Sequence, residues 1–208
     1  MTNHLIIDFE TMGKDATKCA VIDCSVMVFN FEKFTSNPYS LNSITETRKF
    51  KLSVVDQVKN YSWEIDKSTL QFWEEQDADV RANIAPKKTD LTVKEFIQQF
   101  HEFLIKSPKI DYWWSRSNTF DPIILSRLFD AEGKRLHLEE YLKYWKVRDT
   151  RTYIDAKMNF STTNGFTPML NEEKWNKSFK KHDSAWDILA DVLRFQQIHR
   201  AENDLDLL

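Results

Sequence analysis

Glycine and proline are scarce, at three and five residues in a chain of 208. That scarcity excludes collagen-like repeats and flexible linker arrays. Cysteine is scarcer still, with only two, Cys19 and Cys24. Their odd separation within one strand-like segment puts them on opposite faces, so they are not expected to bridge. Two cysteines also fall short of a zinc site. Both read as reduced packing residues of a cytosolic protein. No apolar run reaches the roughly 18 residues of a membrane span. The N-terminus lacks the basic, apolar and small-residue order of a leader peptide, so secretion is not expected. A large positive charge is missing too, since the formal net charge is −3. That argues against a generic polyanion binder. The argument weakens if metals bind, because two divalent ions would bring the sum to +1.

Hydrophobic residues are plentiful, at 41%, and aromatics reach 13%, including seven Trp and fifteen Phe. This is enough to fill the core of one domain over residues 1–208, with a short frayed tail at 202–208. Strands are expected at His4–Phe9, Cys19–Phe31, Thr47–Leu52, Ile110–Trp114 and Val147–Arg148, with a turn at Asn37–Pro38. Helices are expected at Lys67–Glu75, at Asp77–Ile84 (stopped by Pro86) and at Thr92–Ile105. In the last of these, Val93, Phe96, Ile97, Phe100 and Leu104 form one stripe. A further helix follows Pro122 to about Asp130, with Asp121 as its N-cap. Asp149 caps a helix over Thr150–Met158, residues 159–179 read as a long loop, and a last helix spans Asp183–Ala201. Early strands followed by alternating helices and strands imply an α/β three-layer domain.

The chemistry begins at Asp8-Phe9-Glu10, at the end of the apolar run Leu5-Ile6-Ile7. On a strand, Asp8 and Glu10 project together while Phe9 points into a core. Two adjacent carboxylates repel, and a divalent cation relieves that cost. Read singly, such a pair is more often a solvated face, Asp121 a cap, and His182 a surface histidine. Asp187 is harder to dismiss, because Trp186, Ile188 and Leu189 place it at the border of a core. Asp183 is the last helix's N-cap and an alternative ligand. Together, the four carboxylates Asp8, Glu10, Asp121 and Asp187 suit two hard cations, the arrangement that stabilises the attacking and leaving oxygens of a phosphodiester displacement. His182 can take a proton near neutral pH.

The order Asp-x-Glu, Phe-Asp, His-x-x-x-x-Asp resembles the DEDDh 3′-5′ exonucleases of the ribonuclease H-like superfamily, and most closely their bacteriophage DexA-like branch. The similar segments are Ile6–Gly13, Asn83–Pro86, Arg148–Thr152 and His182–Ser184, and the resemblance extends over most of the chain. It implies a ribonuclease H-like fold with a central mixed sheet flanked by helices. It also implies 3′-to-5′ hydrolysis of a nucleic acid, with DNA favoured over RNA, releasing nucleoside 5′-monophosphates with two Mg²⁺ or Mn²⁺ ions per site. By position, Asp8, Glu10 and Asp187 would hold one metal. Asp8 would bridge to the second metal, supported by Asp121, and His182 would be the general base.

The same resemblance places Thr11 and Met12 against the terminal nucleotide. Where the broad family often has Asn, this chain has Arg116, which either contacts the substrate backbone or pairs with a site carboxylate. Arg148 and Arg151 are candidate phosphate contacts. Lys177, Lys180 and Lys181 precede His182 and are candidates for steering the backbone. Most tryptophans read as core. The tail Asp204–Leu208 faintly resembles peptides that dock on sliding clamps. No membrane partner is expected. The rival readings are an exoribonuclease, an inactive nucleic-acid-binding module, and an endonuclease or proofreading subunit.

Overall fold

The run His4–Thr11 forms strand β1, and its alternation divides the molecule. Leu5, Ile7 and Phe9 join one core cluster, while Ile6 joins a second. Residues of odd and even number thus face opposite sides of one sheet. Asp8 and Glu10 share the face of Ile6. The computed structural model describes residues 2–159, 165, 167 and 172–206.

Strand β2 (Val21–Phe29) lies antiparallel to β1, and β3 (Arg48–Lys51) lies antiparallel to β2. On the other edge, β4 (Tyr112–Ser115) and β5 (Val147–Asp149) run parallel to β1. The mixed sheet has the order β3-β2-β1-β4-β5. Between β2 and β3 come a short helix α1 (Lys33–Ser36) and a 3₁₀ turn (Leu41–Glu46). Helices α2 (Val54–Tyr61), α3 (Lys67–Glu74), α4 (Ala78–Ile84) and α5 (Val93–Lys106) follow β3. Then α6 (Asp121–Ala131) and α7 (Arg135–Tyr141) follow β4. Finally α8 (Thr150–Lys157), α9 (Glu172–Ser178) and α10 (Ser184–Glu202) follow β5.

Local chemistry explains the best-formed pieces. Helix α5 starts with a full capping box, Thr92 and Glu95 each satisfying the other's backbone amide. Such a cap is worth about 1 kcal/mol. Its stripe Phe96, Phe100 and Leu104 is fully buried against the odd-numbered face, with Phe129 of α6 in the same cluster. Helix α10 covers the even-numbered face with Ile188, Val192 and Phe195. Each large apolar side chain buried there is worth about 1.5–3 kcal/mol.

Several expectations need correction. Helices α2 and α7 replace segments with no expected structure; each buries few side chains, and Val55 and Leu136 are exposed. Helix α2 nevertheless carried a legible signal: Val54, Val58 and Tyr61 fall at helical spacing, and Ser53 accepts from the Asp56 amide as a cap. Part of the expected loop at 159–179 is helix α9, and much of the remainder lies outside the described residues. Cys19 precedes β2, in an isolated bridge with Glu64. Without one continuous strand the odd spacing loses its meaning, and both cysteines, free and buried, enter the same cluster.

Asp121 is not an N-cap. Phe120 holds that position without a side-chain bond, and Asp121 reaches across to β1 instead. The described tail residues fold back on α10: Leu205 N–H donates to Arg200 O, and Arg200 Nε donates to Asp206 O. Leu207 and Leu208 lie outside the described residues. Among the described residues, no helix is long and apolar enough to cross a membrane.

Candidate active site

Strand alternation places Asp8 and Glu10 on the face covered by α10. One turn into α10, Asp187 meets them. One carboxylate oxygen from each of Asp8, Glu10 and Asp187 lies within 4.8 Å of the others. Asp121, at the start of α6, is buried, and its Oδ1 accepts the Phe9 N–H at 3.2 Å. That bond fixes the fourth carboxylate beside the strand residue between the first two.

This arrangement is electrostatically unfavourable without a cation. Burial pushes Asp8 well above the usual carboxylate range, and Asp121, Glu10 and Asp187 push it further. Asp8 is thus the acid on which the other three converge. Burial also raises Glu10, helped by Asp23 and Asp187 and opposed by Lys49. Asp121 is pushed up to about 7 by burial, against the pull of the Phe9 amide. Asp187 is pushed up to about 7 by burial and by Asp191 and Asp183, with Arg116 and Arg194 opposing. A divalent ion with oxygen ligands would offset this repulsion, so the donor set fits a hard cation.

Asp8, Glu10 and Asp121 open onto a cleft of about 750 Å³ whose walls include Thr11, Phe72, Trp73, Arg116 and Arg151. His182 stands at the aromatic wall. Its ring meets Phe72 and Trp73 edge-on, at centroid separations of 5.1 and 5.9 Å. Its backbone is left-handed, with φ at 58°, which His tolerates better than most residues. Burial and Lys181 lower its pKa, so the neutral ring is favoured. Trp73 Nε1 donates to Thr11 O at 2.9 Å, tying the aromatic wall to the end of β1.

The remaining expected contacts divide. Thr11 and Arg151 line the cleft. Met12 is buried in the core cluster instead. Arg116 lines the cleft and pairs with a carboxylate that sequence reasoning did not single out: its Nη2 lies 3.0 Å from Asp191. Arg148 is not brought to the cluster. It pairs in register with Trp114, stacks on Tyr112 at 4.6 Å, and acts on His4 at the far end of β1. Lys180 and Lys181 are exposed beside His182, and Lys177 pairs with Glu173. Asp183 caps α10 rather than joining the three-acid group.

Sequence reasoning also missed the supports behind the acids. Asp23 lies opposite Glu10 in the β1–β2 register. It is 3.1 Å from Lys49 Nζ, and Ser184 Oγ donates to it. Lys49 also lies 3.2 Å from Asp183, whose other oxygen accepts from Asn83 Nδ2. Although burial opposes it, Asp23 and Asp183 raise the pKa of Lys49. One turn beyond Asp187, buried Asp191 accepts from Arg116, Arg194 and Thr150 Oγ1. The four-residue step from Asp187 to Asp191 was a legible signal. The Asp23–Lys49–Asp183 bridge was not, since it depends on strand register.

Three kinds of comparison place this geometry among known proteins. Residues 3–191 match the family described as the 3′-5′ exoribonuclease Rv2179c-like domain. The chain is similar to an exodeoxyribonuclease of Enterobacteria phage T4, at 30% identity over 203 residues, covering 90% of this chain and 85% of that protein. In fold it is similar to Exonuclease I of Methylocaldum szegediense, with a TM-score of 0.58 and 14% identity over 98% of this chain. It is likewise similar to E. coli Exonuclease I solved with a dT13 oligonucleotide, with a TM-score of 0.55 and 14% identity over 94% of this chain. The chain spans only 43% and 40% of those two solved chains.

Proposed function

The chain belongs to the Rv2179c-like 3′-5′ exonuclease domain family, a family of hydrolases, and from that premise we propose that it removes nucleotides from the 3′ end of a DNA strand as nucleoside 5′-monophosphates. The observation that carries this reading is the convergence of Asp8, Glu10 and Asp187 from β1 and α10 within 4.8 Å. DNA is favoured because the phage relative, similar over nearly the whole chain, is an exodeoxyribonuclease. The family description names an exoribonuclease, so RNA is the second reading. A cytoplasmic location, in the host cell for a phage-borne chain, fits the two free thiols.

In this reading Asp8, Glu10 and Asp187 would hold one divalent ion, and Asp121, fixed beside them by the Phe9 amide, would join Asp8 in holding a second. Bound Mg²⁺ or Mn²⁺ ions supply charge neutralisation at the scissile phosphate and polarise a water. The protein residues do the rest. His182, kept neutral by burial and by Lys181, accepts the proton of the attacking water. Phe72 and Trp73 hold its ring edge-on. Thr11 and Arg151 contact the terminal nucleotide and its phosphate, and Arg116, held by Asp191, closes that wall of the cleft.

The test is a time course on end-labelled single-stranded DNA, duplex DNA and RNA, with Mg²⁺ and with Mn²⁺. The expected products are mononucleotides from the first time point, with DNA consumed faster than RNA. Internal fragments would identify an endonuclease, and hydrolysis in excess EDTA would refute the metal requirement.

A further inference from the structure

Five of the seven tryptophans are buried, a sixth, Trp186, is half-buried in its cluster, and Trp145 is 59% exposed beside Tyr144 at 73%. The pair sits on a 3₁₀ turn between α7 and β5. Its rings meet at 4.9 Å and 89°, forming an open right-angled corner. The turn is firmly held: Trp113 Nε1 donates to Lys143 O, and Lys146 N–H donates to the same carbonyl. Leaving two large rings in water costs apolar burial that most aromatics of this chain obtain.

We propose that Tyr144 and Trp145 form a stacking subsite for the strand 5′ of the scissile bond. Two observations select a single-stranded polynucleotide as the occupant. The first is continuity. A second hollow of about 450 Å³ runs from Tyr144 to Asn118 and Pro122. Those two residues interleave with Ser117, Thr119 and Asp121, which line the carboxylate cleft. A strand leaving the cleft over the start of α6 therefore enters this hollow. The second is charge. Lys143 and Lys146 flank the rings in sequence, and Lys143 Nζ lies 5.9 Å from the Trp145 ring centre, so a cation stands beside the rings for the phosphates of a stacked strand. Aromatic faces accept any base, and flanking lysines track the backbone. The subsite deepens the exonuclease reading and rests on it for the direction of the strand.

The experiment compares the wild-type chain with the double variant Tyr144→Ala/Trp145→Ala, and with Tyr144→Phe/Trp145→Phe, which keeps both rings. Fluorescence anisotropy in EDTA measures binding of labelled oligothymidylates and oligouridylates from about 2 to 15 nucleotides, a span that brackets ordinary single-strand site sizes. The expected loss is about tenfold or more in affinity for the longest oligomers with the alanine variant. The shortest oligomers should bind and be hydrolysed as by the wild type, and the phenylalanine variant should stay near wild type. Loss at every length, or at none, overturns the subsite. Conversion of a wild-type dimer to monomer by the alanine variant in sedimentation also overturns it, because the rings then form a protein interface. Length-dependent binding by a chain that hydrolyses no nucleic acid would leave the subsite standing and refute the exonuclease reading. Equal melting temperatures of the three proteins exclude misfolding as the cause.

Discussion

Asp121 is held by the strand it serves: its Oδ1 accepts the amide of Phe9, the residue between Asp8 and Glu10. One hydrogen bond thus couples the first turn of α6 to the first acidic pair, over 112 residues of sequence. The same bond stabilises the ionised carboxylate, while burial disfavours it. Both effects matter for what substitutions should do.

Asp121→Asn keeps an acceptor for Phe9 and removes a charge that pushes Asp8 up. Hydrolysis should fall by at least about 100-fold, the scale for losing one group that stabilises transition-state charge. The metal-free protein should melt no lower than the wild type near pH 8. A variant that retains wild-type turnover would remove Asp121 from the site.

His182→Asn tests the proposed base without disturbing the turn, because Asn tolerates the left-handed backbone found at φ 58°. The rate constant should drop by about 10²–10⁴-fold. Divalent-ion affinity should barely change. Because burial and Lys181 lower the pKa of His182, the wild-type rate at saturating divalent ion should hold its plateau to below the usual imidazole value on the acid side. An unchanged pH profile in the variant would assign the base elsewhere.

Stability should depend on pH with an unusual sign. Asp121 and Asp187 both rise from 3.8 to about 7 in the folded chain. Between those values the folded state keeps protons that the unfolded chain releases, so stability is fully present below about 4 and is lost as pH climbs through about 7. In EDTA the melting temperature should therefore fall between about pH 5 and 8. Saturating Mg²⁺ should raise it more at pH 8 than at pH 5, since only deprotonated ligands bind the ion. A melting temperature that rises with pH in EDTA would contradict this electrostatic picture.

Lys49→Met leaves Asp23 and Asp183 without the ammonium that lies 3.1 and 3.2 Å from them. Removing one partner of a buried ion pair costs about 3–5 kcal/mol. Lys49 remains a quarter exposed, so the lower end, about 3 kcal/mol, is expected in urea unfolding. Adding Asp23→Asn should recover part of that loss. A double variant as weak as the single would show that Lys49 supports the fold by packing alone.

Much of the candidate site was legible in the sequence because period-two alternation is a local property. Ile6, Asp8 and Glu10 had to share a face once His4–Phe9 was a strand, and the stripe of α10 placed Asp187 at its buried margin. The five strands and the long helices α5 and α10 carry the same kind of signal. The short α7, which buries only Leu138, does not, and α2 went unread although Val54, Val58 and Tyr61 stand at helical spacing. Arg148 shows the limit of reading by adjacency. It stands next to Asp149, yet its register with Trp114 points its charge at His4 rather than at the acids.

The sequence by itself determined which residues are the candidates for the chemistry, because charge, alternation and helical spacing are written in neighbouring positions. Only the tertiary structure decided how they are held. Which carboxylate Lys49 bridges, that Arg116 answers Asp191, that Asp121 bonds to Phe9, and that Trp145 remains in water beside Tyr144 all follow from strand register and helix docking. Those are long-range choices set by burial of whole faces, and no short stretch of chain contains them.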